Sequence, residues 1–431
     1  MNNTIKLAVA SALLAAASNA SAGIMIPAGD WTLDIGGVVN AYYTSTRTSG
    51  DAVTGIGGVT DQLNGTDSSA NITTGLLPNY LSVSGKTRQN DLDVGFTISI
   101  NPGASTKNSG IQNGNQSNVA GAASNQENRQ AFLTFGDKSW GSIKLGKDLG
   151  IYASDAILND MTLLGVGSYA GFGAGNTTTL GRIGTGFMYA DWKSQIAYSS
   201  PNWNGFSFTV GLTQAWDTYG AGQSFTAHNS PTAGVFSSAT STGRGGNQPA
   251  YEGKASYEWA GDVAGKVWAS AFSQKIESLH VVGSTTDLGS DRANAWDIGT
   301  TVNVAGFGLT AYYGQGEGTG TTVMLRDGYD SLGNARDSED WYVQGTYTIP
   351  GVGTKLGASY GKSTLEGNGA SDTGLGNADY KNSMWTVGAY HPLTKHLNLV
   401  AEYSNAKSEV TGAANLEGKS KTVSLGAILF F

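Results

Sequence analysis

Ser420-Lys421-Thr422-Val423-Ser424-Leu425-Gly426-Ala427-Ile428-Leu429-Phe430-Phe431 is the last stretch of the chain. Val423, Leu425, Ala427, Leu429 and Phe431 fall on one face, with Ser420, Thr422, Ser424 and Gly426 opposite. Successive side chains of a strand point to opposite sides, so a period of two reads as a β-strand with one apolar face. Its last residue is an aromatic one.

The other end of the chain sets the compartment. Lys6 gives a short positive region, Leu7 to Ala17 an apolar one, and Ala20-Ser21-Ala22 a small-residue cleavage pattern. These features predict a signal peptide over residues 1–22 and a mature chain from Gly23, exported through the periplasm. The apolar run is shorter than the roughly 20 residues that a spanning helix needs. An exported chain that closes on a one-faced strand predicts an all-β fold, a transmembrane antiparallel β-barrel in a bacterial outer membrane. Mildly negative mean hydropathy does not oppose this, because a barrel carries its apolar residues at alternate positions. Cysteine is absent, so nothing depends on disulfides.

Composition agrees. The chain has 63 glycines against 8 prolines, with 19 tyrosines and 10 tryptophans. Glycine suits tight turns and close strand approach, and tyrosine and tryptophan suit interfacial girdles. Net charge is -8, and loss of Lys6 with the signal makes it -9. That balance argues against a nucleic-acid partner, for which a basic footprint is expected.

Alternation marks sixteen segments of the length that a tilted membrane strand requires. They are 32–45, 80–89, 91–101, 127–137, 141–148, 193–200, 205–216, 249–260, 264–277, 294–304, 307–317, 339–349, 353–365, 381–391, 395–408 and 420–431. In 91–101, Leu92, Val94, Phe96, Ile98 and Ile100 oppose Asp93, Gly95, Thr97 and Ser99. A soluble sandwich offers similar single strands. The connections decide against it, because they alternate long and short after the first strand, as in outer-membrane barrels. The long ones are rich in Gly, Asn, Ser and Thr and read as solvated loops of one domain, residues 23–431.

Several motifs resemble the trimeric general porins of Gram-negative bacteria. They are Asn128-Arg129-Gln130-Ala131-Phe132-Leu133-Thr134-Phe135, Trp140-Gly141-Ser142-Ile143-Lys144-Leu145-Gly146-Lys147, Leu180-Gly181-Arg182-Ile183-Gly184, and Tyr198-Ser199-Ser200-Pro201 through Asn204-Gly205-Phe206. The resemblance implies a sixteen-stranded homotrimer whose third loop, about 149–192, folds inward and narrows a water-filled pore. Small hydrophilic solutes and ions would cross it passively, with no cofactor, and the barrel's other partner would be outer-membrane lipid. Much of the loop is apolar or glycine-rich, as Leu163, Leu164, Gly165, Val166, Gly167, Tyr169 and Phe172 show, which suits packing on an inner wall better than exposure to bulk water. Gly165-Val166-Gly167 is not a nucleotide loop, since no helix pattern or Walker lysine follows.

The resemblance also implies a constriction with acids on the loop opposite bases on the wall. Asp160 takes the acidic place, Arg129 and Arg182 two basic places, and Lys86 a third. Lys86 has independent support, because it shares a face with Ser82, Ser84 and Arg88 opposite Leu81 and Val83. On the lipid side it would cost about 2–4 kcal/mol near the midplane. The sequence departs from the family where Leu163 and Leu164 replace a second acid and Ser82 replaces an arginine. Asp155 supplies an acid if the loop bends suitably. The expected result is a weak preference for anions.

Other functions fit less well. A barrel hydrolase needs serine, histidine and a polar partner together; His228, His280, His391 and His396 lie in no serine-bearing motif, so no catalytic residues are expected. A channel specific for one anion or sugar is the alternative, with Tyr169, Phe172, Phe187 and Tyr189 as candidate slide residues or as packing for the loop. Asp327, Asp330, Asp337, Glu339 and Asp340 match no calcium-loop spacing and read as a solvated acidic loop, with no metal site.

Overall fold

A computed structural model of the chain describes residues 23–51, 68–105, 126–167, 171–172, 177–186, 188–216, 248–280, 287–320, 325, 327–330, 332–369, 372, 375–411 and 415–431. The expected signal peptide lies outside these residues, as do Tyr169, Phe187 and His228.

Sixteen strands form the wall. They are β1 (Trp31–Gly50), β2 (Tyr80–Gln89), β3 (Leu92–Pro102), β4 (Ala131–Asp137), β5 (Gly141–Leu149), β6 (Trp192–Ser199), β7 (Phe206–Thr213) and β8 (Ala250–Trp259). The rest are β9 (Val263–His280), β10 (Asp287–Val304), β11 (Phe307–Glu317), β12 (Asp337–Thr348), β13 (Lys355–Glu366), β14 (Asp379–Pro392), β15 (Leu397–Thr411) and β16 (Leu416–Phe430). Each pairs antiparallel with the next. β16 then pairs back onto β1, from Val38↔Phe430 to Gly50↔Gly418. The closed ladder leaves no edge, which a membrane-spanning sheet requires.

The two faces are opposite in character. Val39, Tyr43, Ile98, Ile196, Ile298, Val343, Val387 and Leu425 are exposed, whereas Asn40, Thr44, Ser99, Gln344, Thr386, Glu402 and Ser424 are buried. An apolar outside around a polar inside is the arrangement that lipid selects. The face of β16 that the sequence marks as apolar is the outer one.

The terminal residue completes the closure. The Phe431 amide donates to the Gly37 carbonyl at 3.0 Å, and the Gly37 amide donates to the Phe431 carbonyl at 2.8 Å. A Cβ at Gly37 would stand 2.7 Å from the Phe431 ring, so the ring lies over bare backbone. Tight hairpins join strands at the same end. Asn90-Asp91 and Asn204-Gly205 have positive φ at both positions, the requirement of a primed turn.

The strand boundaries expected from alternation match closely, but several strands are longer. β10 starts at Asp287 rather than 294, because ladder pairing with β9 continues beyond the alternating apolar stretch. One connection departs more. Residues 46–79 read as a single loop, yet Ser68–Thr73 returns to the wall and pairs with Tyr42–Arg47 of β1. Between Thr73 and Tyr80 the chain leaves the ladder. Asn40 holds this break: its amide donates to Asn79 Oδ1 (2.5 Å), its Nδ2 to the Leu77 carbonyl (2.8 Å), and its Oδ1 accepts from Gly75 (2.9 Å). A long connection rich in small residues hides such a return.

The acidic run is not a solvated loop. Asp337, Glu339 and Asp340 belong to β12, and Asp340 is buried. Asp330 is fully buried and accepts from the Leu332 and Asn334 amides and the Asn368 side chain.

Replacing Gly37 by valine should destabilise the barrel by about 1–3 kcal/mol through overpacking at the closure. Urea titration of the refolded protein, followed by its heat-modifiable gel mobility, measures this; an unchanged midpoint would mean that the Phe431 seam is not structurally needed.

Candidate functional site

The segment between β5 and β6 carries a short helix, α1 (Ser154–Leu158), and a 3-10 turn, Met161–Leu164. Irregular backbone leaves amides that need acceptors, and an unpaired buried one costs about 1–3 kcal/mol. Side chains on the polar face of the wall supply them. Glu252 of β8 accepts from the Ile151 and Tyr152 amides at 2.8 and 2.9 Å, and Ser270 of β9 from Ala153 at 3.0 Å. On β12, Tyr342 donates to the Ala156 carbonyl, while Gln344 accepts from Met161 at 2.7 Å and donates to Asn159 at 3.0 Å. Ser363 of β13 accepts from Gly186 at 2.7 Å. Glu402 of β15 accepts from Val166 and Gly167, both at 2.8 Å, and Tyr42 of β1 donates to the Leu164 carbonyl.

Bare positions on the wall admit the segment. A Cβ at Gly361 would press into the Arg182 guanidinium and stand 2.7 Å from the Thr185 carbonyl; one at Gly357 would stand 2.6 Å from the Met161 sulfur. Leu163, Val166, Ile157 and Met161 are buried, as their apolar character suggests.

The sequence-selected site residues divide into separate groups. Asp160 is fully buried; its Oδ1 accepts from the Thr162 amide (2.9 Å), and its Oδ2 accepts from the Thr162 hydroxyl and the Ile183 amide (both 2.8 Å). It therefore caps the 3-10 turn and ties the outgoing and returning halves of the segment together. Arg182 is also fully buried, stacked 4.6 Å from the Tyr342 ring centre, with Nη1 donating to the Thr185 carbonyl. Its Nε and Nη2 find no hydrogen-bond partner among the described residues.

Asp155 pairs with two wall lysines, Lys254 at 3.1 Å and Lys266 at 2.5 Å. Burial raises its carboxyl, and the two ammonium groups outweigh that, so it titrates below its ordinary value. Arg129 is spent on Glu127 (2.9 Å) and lies over the Trp192 ring. Lys86 is exposed on the polar face of β2, opposite Thr32 and Gly95, near the Asn90-Asp91 turn. No described contact joins Lys86 or Arg129 to Asp155, Asp160 or Arg182.

Glu252, Lys254, Lys266, Gln344 and Glu402 were missed in the sequence. Each is a polar residue on the unmarked face of an alternating strand, and that placement was a usable signal. Among the described residues no group of three or more acids and histidines is placed to hold a metal ion.

A family model for Gram-negative porins matches residues 8–411. The chain belongs to that family. It is an outer-membrane channel for passive diffusion. No curated protein sequence matches the porin. Among solved structures it is similar to an anion-selective porin from Comamonas acidovorans, at 16% identity and a TM-score of 0.56, covering 93% of this chain and 100% of that one. The outer membrane channel DcaP of Acinetobacter baumannii gives 15% identity and a TM-score of 0.62 over 94% and 99%. A trimer form of OmpT from Vibrio cholerae gives 15% and 0.52 over 93% and 99%. At these identities the likeness concerns the fold.

Glu402→Ala should release the Val166 and Gly167 amides, at about 1–3 kcal/mol for each one left without an acceptor. Hydrogen exchange at these two amides should speed up several-fold or more; unchanged exchange would remove Glu402 as an anchor.

Proposed function

We propose that segment 150–190 is a constriction loop folded into the barrel, and that the porin passes small hydrophilic solutes and ions with a weak preference for anions. The observation that carries the reading is the set of bonds from this one segment to the polar faces of β1, β8, β9, β12, β13 and β15. Strands so widely separated around a closed wall are joined by a single segment only across the space they enclose. A narrow, partly desolvated gap is where fixed charges act on ions most strongly.

Pairing keeps that selectivity weak. Asp155 offsets Lys254 and Lys266, and Glu258 also approaches Lys266 at 3.2 Å. Asp160 and Arg182 serve the loop's own structure, Arg182 being buried against the Tyr342 ring. Lys86, exposed on the inner face, supports the anionic sign. Mouth charges count for less, since screening acts over roughly 8–10 Å at physiological salt. The mature chain would begin at Gly23 after export, and three copies would assemble as in the OmpT trimer form. A channel specific for one anion or sugar is the competing reading, and saturable block by a single solute would favour it.

Reversal potential in a planar bilayer under a potassium chloride gradient tests the sign. Asp155→Asn should move it further towards anions by leaving Lys254 and Lys266 with one acid fewer, and Lys86→Glu should move it towards cations. No shift in either variant would overturn the charge assignments. Deletion within 160–175 should raise single-channel conductance; no rise would show that the loop is not the constriction.

A further inference from the structure

The side chains that segment 150–190 leaves open are of a different kind from those its charges suggest. Among its described side chains only Leu158, Asn159 and Leu164 are partly exposed; Asp155, Asp160 and Arg182 are buried. The break in the wall at 74–79 behaves in the same way, with Leu77 its one partly exposed residue. This break is bonded to the segment: the Leu76 amide donates to Gly165 (2.8 Å), the Thr179 amide to Gly75 (3.1 Å), and the Thr178 hydroxyl to Leu76 (2.7 Å). The two pieces therefore form one body. Leu77 packs against both apolar clusters to which that body's buried side chains belong, Leu158 against one and Leu164 against the other. The three leucines are thus a half-open rim over two apolar clusters that Leu77 touches in common.

We propose that this rim makes one side of the constriction apolar, so that the channel favours organic anions with an apolar body, such as carboxylates on a hydrocarbon frame, over small inorganic anions. The inference rests on the reading of segment 150–190 as the constriction loop. An apolar narrowing repels hydrated ions because it offers them no ligands in place of water. A hydrocarbon body gains where the ion loses, since it and the leucines leave water together. On the polar face of β2 the exposed Lys86 provides for the anionic group, whereas Lys144 of β5 is paired with Asp148. Leu158 and Leu164 lie on the loop, and Leu77 on a segment that its sequence position assigned to a loop outside the barrel.

Block of the potassium chloride current by straight-chain carboxylates, acetate to hexanoate, tests the proposal on the unaltered protein. Full burial of a methylene corresponds to about fourfold in affinity, so half-exposed leucines should give about twofold tighter block per added carbon. A half-block concentration that is flat or rises with chain length would overturn the inference. Leu77→Asn with Leu164→Asn should flatten the series, and retention of the full slope in that variant would also overturn it. Neutral diols of two to six carbons separate this inference from the reading beneath it. If diols and carboxylates share the slope but the chloride gradient gives no anion preference, the apolar rim stands and the anionic sign falls. If deletion within 160–175 leaves both conductance and slope unchanged, the loop assignment and the rim fall together.

Discussion

A backbone amide inside a membrane-spanning wall has no water to turn to, and the whole structure follows from supplying it with a partner. Sixteen strands meet that demand by closing on themselves, with Phe431 and Gly37 exchanging the final pair of bonds. The same demand applies to the irregular segment between β5 and β6, where no ladder is available. Its amides are taken up by Glu252, Ser270, Gln344, Ser363 and Glu402, all on the polar face of the wall. A carboxylate is well suited to this, because its two oxygens accept several bonds at once. Glu252 and Glu402 each take two loop amides.

Glycine acquires a specific meaning from this docking. Its abundance in the sequence is consistent with turns, and Asn204-Gly205 is one of them. At Gly357 and Gly361 the absence of a side chain instead makes room for Met161 and Arg182. The wall is thinned where the segment lies against it. A composition count cannot separate these two uses, since both appear as glycine in a β-rich chain.

Charge is similarly redistributed by the fold. Asp160 and Arg182 read in the sequence as pore charges, and both are fully buried. Asp160 spends its oxygens on Thr162 and Ile183, and Arg182 stacks on Tyr342. Asp155 alone of the loop residues makes ion pairs with described wall residues, Lys254 and Lys266. An ionised group held by neutralising partners within the protein steers a passing ion weakly, and the leucines that remain half-open gain importance in proportion.

The sequence by itself determined where the sixteen wall strands run and, where alternation is clear, the two faces of a strand, because alternation is a local property that lipid imposes residue by residue. β3 was readable almost residue for residue for this reason, and β16 from Ser420 onward. The long-and-short rhythm of connections likewise settled which architecture those strands build. Tertiary structure alone decided which charges pair, that Ser68–Thr73 rejoins the wall, and which side chains segments 74–79 and 150–190 leave open. Glu402 and Gly167 are 235 positions apart, and no local pattern encodes such a contact. It exists because closing the barrel brings a polar face and an unsatisfied backbone to the same place.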